Sequence, residues 1–180
     1  MSELWLDITD IPADGREFSF SDQALWTGPI AEFSLPHVLT APGTGLAAEF
    51  SVLPQGRGVL LRGRLSGTVV VPCDRCAEDV TLSLDEDFEL FEETPLEGEQ
   101  ALEPGLLRRR GTVLELDVGS LLWEQYLLAL PVKPLCDENC RGLCPRCGAP
   151  LGDGPCGCAD EGGDPRLAVL KNLKVPRGSN

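Results

Sequence analysis

Apolar and polar side chains alternate through much of the first 117 residues. Leu46, Ala48, Phe50 and Val52 fall on one side of a period-two pattern, which predicts a half-buried strand over 46–53. Val80, Leu82 and Leu84 repeat it and predict a strand over 80–91. Between them GVLLRGRLSGTVVVPC, Gly58–Cys73, is the densest strand signal, with the β-branched run Thr68–Val71. Gly63 and Gly67 mark a bulge or turn that would split it into two strands. Glu3–Ile8 and Thr112–Asp117 predict shorter strands, and IPADGREFSFSDQ reads as a turn followed by alternation through Phe18 and Phe20. Trp26–Leu39 holds Pro29 and Pro36 and reads as irregular chain or short strands.

The period changes after Asp117. This residue can cap a helix over 118–130 that Pro131 ends. Leu121, Leu122, Trp123, Leu127, Leu128 and Leu130 cover so much of its circumference that it should be mostly buried. Trp123 and Tyr126 read as core or interface aromatics. Beyond Pro134 apolar bulk falls away while Cys, Gly and Pro rise up to Gly163, so something other than a hydrophobic core must order the segment. Asp164–Lys174 predicts a short helix, with Asp164 as cap, Pro165 first in the helix, and Leu167, Leu170 and Leu173 at helical spacing. The fold class is therefore α+β. A central antiparallel sheet, barrel-like if its edges meet, runs from about residue 44 to 117 with helix 118–130 packed on it. Residues 1–134 form the β-rich core domain; 135–180 form a Cys-rich metal-binding lobe with the short terminal helix.

Charge narrows the function classes. A net charge of −14 over 180 residues favours solubility and repels polyanions at long range. A local basic patch can still act within a Debye length of about 8–10 Å. From Asp85 to Glu103 there are nine acidic residues and no basic ones. The plain expectation is a solvated loop beyond the strand, and the sharper one is an acidic docking surface for a basic partner. The opening MSELWLDITD has no basic, apolar leader pattern, and no 18-residue apolar run occurs. A cytoplasmic protein with no membrane role is expected, in a compartment that disfavours structural disulfides.

Six of the eight cysteines fall between Cys136 and Cys158. Metal ligation, disulfides and a redox centre compete to explain them. Cys144-Pro-Arg-Cys-Gly148 has the form of a metal knuckle: two thiolates two residues apart, then a glycine free to take positive φ. Cys136 and Cys140 lie upstream and Cys156 and Cys158 downstream, so six thiols are available where one tetrahedral ion needs four. Either two are idle or the site departs from a simple quartet, a shared-ligand two-metal cluster being one such departure. Zinc is favoured, in a structural role, with binding free energy of roughly 10–16 kcal/mol in small zinc peptides available to order the segment. Iron in a rubredoxin-like centre is the alternative, suggested by CPRCGAP, although the second C-x2-C of such a centre is missing from this cluster. Cys73-Asp-Arg-Cys76 stands apart between two predicted strands. It could join a zinc site with a distal pair, or form a thiol-disulfide motif. The favoured reading is a tight structural hairpin whose Arg75 presents a guanidinium to phosphate or carboxylate.

Catalysis has little support. His37 is the only histidine and reads as a surface or lightly packed residue, so no Ser/His/Asp set can be built. Neither a P-loop nor GxGxxG occurs.

Several of these blocks together resemble one family. A strand ends in Cys73-Asp-Arg-Cys76, and Leu128-Ala-Leu-Pro131 follows. Then come Cys140-Arg-Gly-Leu-Cys-Pro-Arg-Cys-Gly148, Cys156-Gly-Cys158 and Asp164-Pro-Arg-Leu167. In order and spacing they are similar to the YceD family of large ribosomal RNA subunit accumulation proteins, over roughly residues 40–175. The loop after Cys147, Pro150-Leu-Gly-Asp-Gly, departs from the family's usual pattern. The resemblance implies a cytoplasmic, non-enzymatic ribosome-biogenesis factor that supports 23S rRNA accumulation and large-subunit assembly, with no catalytic residues. Its partner would be 23S rRNA or its precursor, or a large-subunit ribosomal protein. Arg75, Arg141, Arg146, Arg166, Lys171 and Lys174 are the candidate basic face for RNA or partner binding. The competing functions are a thiol-disulfide redox protein and a metal-dependent protein-binding adaptor.

Overall fold

The alternating segments pair as antiparallel neighbours in two open sheets. In a computed structural model, residues 4–95, 105–152 and 154–158 are described. One sheet has the order β2-β3-β4-β5, from Arg16–Phe20 (β2), Gly45–Gln55 (β3), Gly58–Pro72 (β4) and Asp79–Glu93 (β5). The other has the order β1-β7-β6, from Trp5–Asp7 (β1), Leu107–Arg110 (β6) and Val113–Asp117 (β7). The class is α+β, as the pattern implied. The barrel-like closure is not: the residues from 44 to 117 are shared between two sheets, and neither closes on itself. Among the described residues two helices join the sheets, Ala24–Glu32 (α1) and Val118–Ala129 (α2). Neither is long and apolar enough to cross a membrane.

β4 is one continuous strand of 15 residues, not two. Its glycines serve close approach rather than a break. In register, Phe50 of β3, Gly63 and Phe88 of β5 lie side by side. A methyl on Gly63 would overlap Phe50 Cβ and stand 2.5 Å from the Glu49 carbonyl oxygen. The space is taken instead by aromatic rings, with Phe50 centroids 5.9 Å from Phe18 and 5.5 Å from Phe20. Cross-strand aromatic pairs of this kind hold register. β5 runs two residues past the predicted strand over 80–91, so Glu92 and Glu93 of the acidic stretch are strand as well. Arg62 and Arg64 of β4 meet Glu89 and Asp85 across the ladder, each at 2.5 Å. Residues 96–103 of that stretch lie outside the described residues.

α1 replaces the irregular chain expected at Trp26–Leu39. It contains Pro29, which gives up one helical hydrogen bond. Burial outweighs that loss, since Leu25, Trp26, Pro29 and Ile30 are all buried. Gln23 fixes the helix start on the sheet: its Nε2 donates to the Leu46 carbonyl at 2.8 Å, and the Leu46 N–H donates to its Oε1 at 2.9 Å. α2 begins as predicted, with the Asp117 carboxylate accepting from the Ser120 N–H at 2.9 Å. It ends one residue early, because Leu130 before Pro131 is extended (φ −76°, ψ 137°). α2 packs against α1, β1, β4 and β5, so its buried Leu121, Leu122 and Tyr126 form the centre of the core with Trp26, Leu61, Leu65 and Leu116.

Tyr126 and His37 share a hydrogen bond of 2.7 Å between the phenol and Nδ1. Partial burial lowers the His37 pKa from its ordinary value near 6.5. The folded state thus prefers neutral imidazole, and its contribution to stability is present above pH 6.5 and lost as pH falls below it. The urea midpoint should drop between pH 7.5 and 6.0, and His37→Gln should shrink that drop.

By packing, the chain divides into residues 1–140 and residues 141–180. Residues 135–140, read above as the start of the Cys-rich lobe, thus belong to the first unit. The predicted terminal helix lies outside the described residues.

Candidate metal centres

All eight cysteines are thiols, gathered into two quartets. In the first unit, Cys73 and Cys76 meet Cys136 and Cys140; in the second, Cys144 and Cys147 meet Cys156 and Cys158. Within each quartet the sulfurs all lie within 4.8 Å of one another. Cys73 and Cys140 sulfurs are 3.8 Å apart, and those of Cys76 and Cys136 3.6 Å. A disulfide needs about 2.05 Å. A tetrahedral ion with metal–sulfur bonds near 2.3 Å sets its sulfurs about 3.8 Å apart. The spacing therefore fits metal ligation, and four thiolates suit zinc or iron.

The two knuckles are built alike. Cys73 sits where β4 ends, and its N–H donates to the Glu78 carbonyl at 2.8 Å while the Ala77 N–H donates to its carbonyl at 2.9 Å. Cys144 repeats both, donating to Ala149 at 2.8 Å and accepting from Gly148 at 2.9 Å. The N–H two residues on points at the sulfur in each, from Arg75 at 3.4 Å and from Arg146 at 3.5 Å. The residue after the second cysteine has positive φ in both, +60° at Ala77 and +71° at Gly148. Alanine at that position concealed the first knuckle. The shared spelling Cys-x-Arg-Cys, at 73–76 and 144–147, was the signal that could have found it.

The rest of each quartet arrives on short loops. In the first unit the chain leaving α2 returns to the β4–β5 turn, where the Asp74 N–H donates to the Pro134 carbonyl at 2.8 Å. Asp137 folds the following turn: its carbonyl accepts from the Cys140 N–H and its carboxylate from the Asn139 N–H. The Arg75 guanidinium donates to the carbonyls of Glu138 at 3.2 Å and Cys140 at 2.8 Å. Its observed partners are thus the ligand loop's own backbone. In the second unit a bridge between Leu143 and Pro150 closes the knuckle, and the Leu151 N–H donates to Gly142.

Electrostatics make each quartet unfinished as bare thiols. The backbone N–H of Cys136, with those of Arg75 and Cys76, lowers the Cys73 thiol to about 6. The N–H groups of Cys147 and Arg146 lower Cys144 likewise to about 6. The neighbouring thiols push others up: Cys140 and Cys76 raise Cys136 to about 12, and Cys147 and Cys156 raise Cys158 to about 12. One sulfur in each quartet is thus ready to ionise, while the crowding of neighbouring sulfurs holds Cys136 and Cys158 against it. A divalent cation removes that opposition.

Of the predicted basic face, Arg141 and Arg146 are exposed, and Arg75 is engaged as described. Arg166, Lys171 and Lys174 lie outside the described residues.

No solved structure matches the chain. Uncharacterised proteins of Mycobacterium tuberculosis and Mycobacterium bovis are each 30 % identical over 150 residues, covering 81 % of this chain and 70 % of their own length. A chloroplastic Arabidopsis thaliana protein, named large ribosomal RNA subunit accumulation protein YCED homolog 1, is 23 % identical over 158 residues. That match spans 73 % of this chain and 49 % of the plant protein. Residues 61–174, from within β4 through both quartets, match the family described as large ribosomal RNA subunit accumulation protein YceD, and the chain belongs to that family.

Proposed function

We propose that the protein is a cytoplasmic, non-enzymatic factor for assembly of the large ribosomal subunit, supporting accumulation of 23S rRNA. The observation that carries this is the family match over residues 61–174, joined by the plant relative whose name refers to the same RNA. Zinc is the ion that suits the quartets. Each supplies four cysteine sulfurs and no nitrogen or carboxylate ligand, which is the donor set of closed structural sites. Such sites leave no position for a substrate, which supports a role in binding rather than catalysis. The acidic surplus along β5 supports a basic ribosomal protein as the direct partner, with rRNA accumulation following from its delivery.

Deleting the gene and measuring the 23S to 16S rRNA ratio tests the reading. The ratio should fall and free large subunits should become scarce, with recovery when the gene is restored. An unchanged ratio with normal subunit profiles removes the ribosomal assignment.

A further inference from the structure

A groove of about 320 Å³ runs between the last turn of α2 and β5. Leu65, Phe88 and Leu128 line its apolar part, and Glu86, Asp87 and Glu89 line its acidic side. Leu128 is 71 % exposed although it lies on the helix that centres the core. Its chain neighbour Leu127 and nearby Val132 are 44 % and 95 % exposed. Apolar side chains grouped at one helix end, beside a groove, mark a surface built to be covered.

Charge identifies what covers it. β5 carries seven carboxylates and no basic residue. Arg57, Arg62 and Arg64 offset Glu93, Glu89, Asp85 and Asp87. Glu86 pairs in register with Leu65, beside the apolar floor, and has no ion-pair partner among the described residues. A second copy of this chain would bring the same carboxylates and the same net charge of −14 against them. RNA would bring phosphates. A segment with leucine-like residues on one face and lysine or arginine on the other satisfies both halves of the groove.

We propose that this groove seats a basic amphipathic segment of a protein partner. Its apolar residues cover Leu128 and Phe88, and a cation on it meets Glu86, the groove carboxylate that no described arginine offsets. The choice of a ribosomal protein as that partner rests on the ribosomal reading above; the groove's chemistry does not.

The probe is a fluorescein-labelled amphipathic helix made of leucine and lysine, with a leucine–glutamate counterpart, added to the full-length protein at about 0.15 M salt. The lysine peptide should bind and the glutamate peptide should not. Leu128→Ser and Glu86→Lys should each weaken binding at least ~10-fold, and Glu17→Lys, on edge strand β2, should leave it unchanged. Equal weakening by Glu17→Lys would mean diffuse charge attraction and overturn the site. So would binding of a labelled 23S rRNA fragment to the protein, with no peptide present, that Leu128→Ser abolishes, or a wild-type dimer in sedimentation that Leu128→Ser abolishes. The two readings fail separately. Selective peptide binding with a normal rRNA ratio in the deletion strain sinks only the ribosomal assignment; a lowered ratio without peptide selectivity sinks only this surface.

Discussion

Replacing Cys76 with Ser is expected to lower bound zinc from two ions per chain to one and to destabilise the first unit. Cys147→Ser is expected to remove one ion too, yet to leave the unfolding of the first unit unchanged. The difference follows from where the ligands come from. Cys73 and Cys76 cap the β4–β5 turn, and Cys136 and Cys140 follow α2, so an ion held there would tie the hairpin end to the segment after the helix. The other quartet draws every ligand from residues 144–158 and closes only a local loop. Loss of groups that merely orient a ligand costs 10–100-fold in metal affinity, so loss of a ligand itself should exceed ~100-fold. Zinc content by elemental analysis, chelator titration, and urea unfolding of both variants give the comparison. One ion in the wild type, or identical unfolding shifts in the two variants, would refute the division of labour between the quartets.

How much of this the sequence displayed depends on the range of the interaction. Strands were readable because each carries its own alternation, as in Leu46 to Val52. The Asp117 cap was readable because its partner, Ser120, is three residues away. α1 was concealed because its support is not local. Pro29 advertises a break, while what holds the helix is the burial of Trp26 and the grip of Gln23 on Leu46, 23 residues distant. The same limit concealed the metal pairing. Cys144 and Cys147 find their partners within 14 residues, but Cys76 and Cys136 are 60 apart, with β5, β6, β7 and α2 between them in the chain. Composition could say that the distal segment needed an ion. It could not say that the hairpin at Cys73 needed one as well. The far end of the acidic run shows the same limit in small: the alternation ended the strand at Phe91, while pairing with Gly58 and Val59 of β4 carries it on to Glu93.

Gly67→Ala is expected to be among the most damaging single methyl groups that could be added to the first unit, at about 3 kcal/mol or more. Gly67 has φ +146°, a conformation that costs side-chain-bearing residues ~1–3 kcal/mol. The added methyl would also overlap the Gly45 carbonyl oxygen and lie 2.9 Å from Leu46 Cα. Both are backbone atoms of β3, so no rotamer change can make room, and overpacking of this kind costs a further ~1–3 kcal/mol. Relief requires β3 to move where Leu46 pairs with Gly67, and Leu46 is the residue whose N–H and carbonyl hold Gln23. The damage should therefore reach α1: faster amide exchange at Leu46 and through Ala24–Glu32, with a melting temperature lower by about 10 °C. Gly28→Ala supplies the opposite case. It lies within α1 with nothing within 4 Å of an added methyl, so it should raise stability, by up to ~1 kcal/mol. Thermal melts of the two variants beside the wild type decide the matter. If Gly67→Ala melts no lower than Gly28→Ala, the close approach of β3 to β4 is not what glycine serves there.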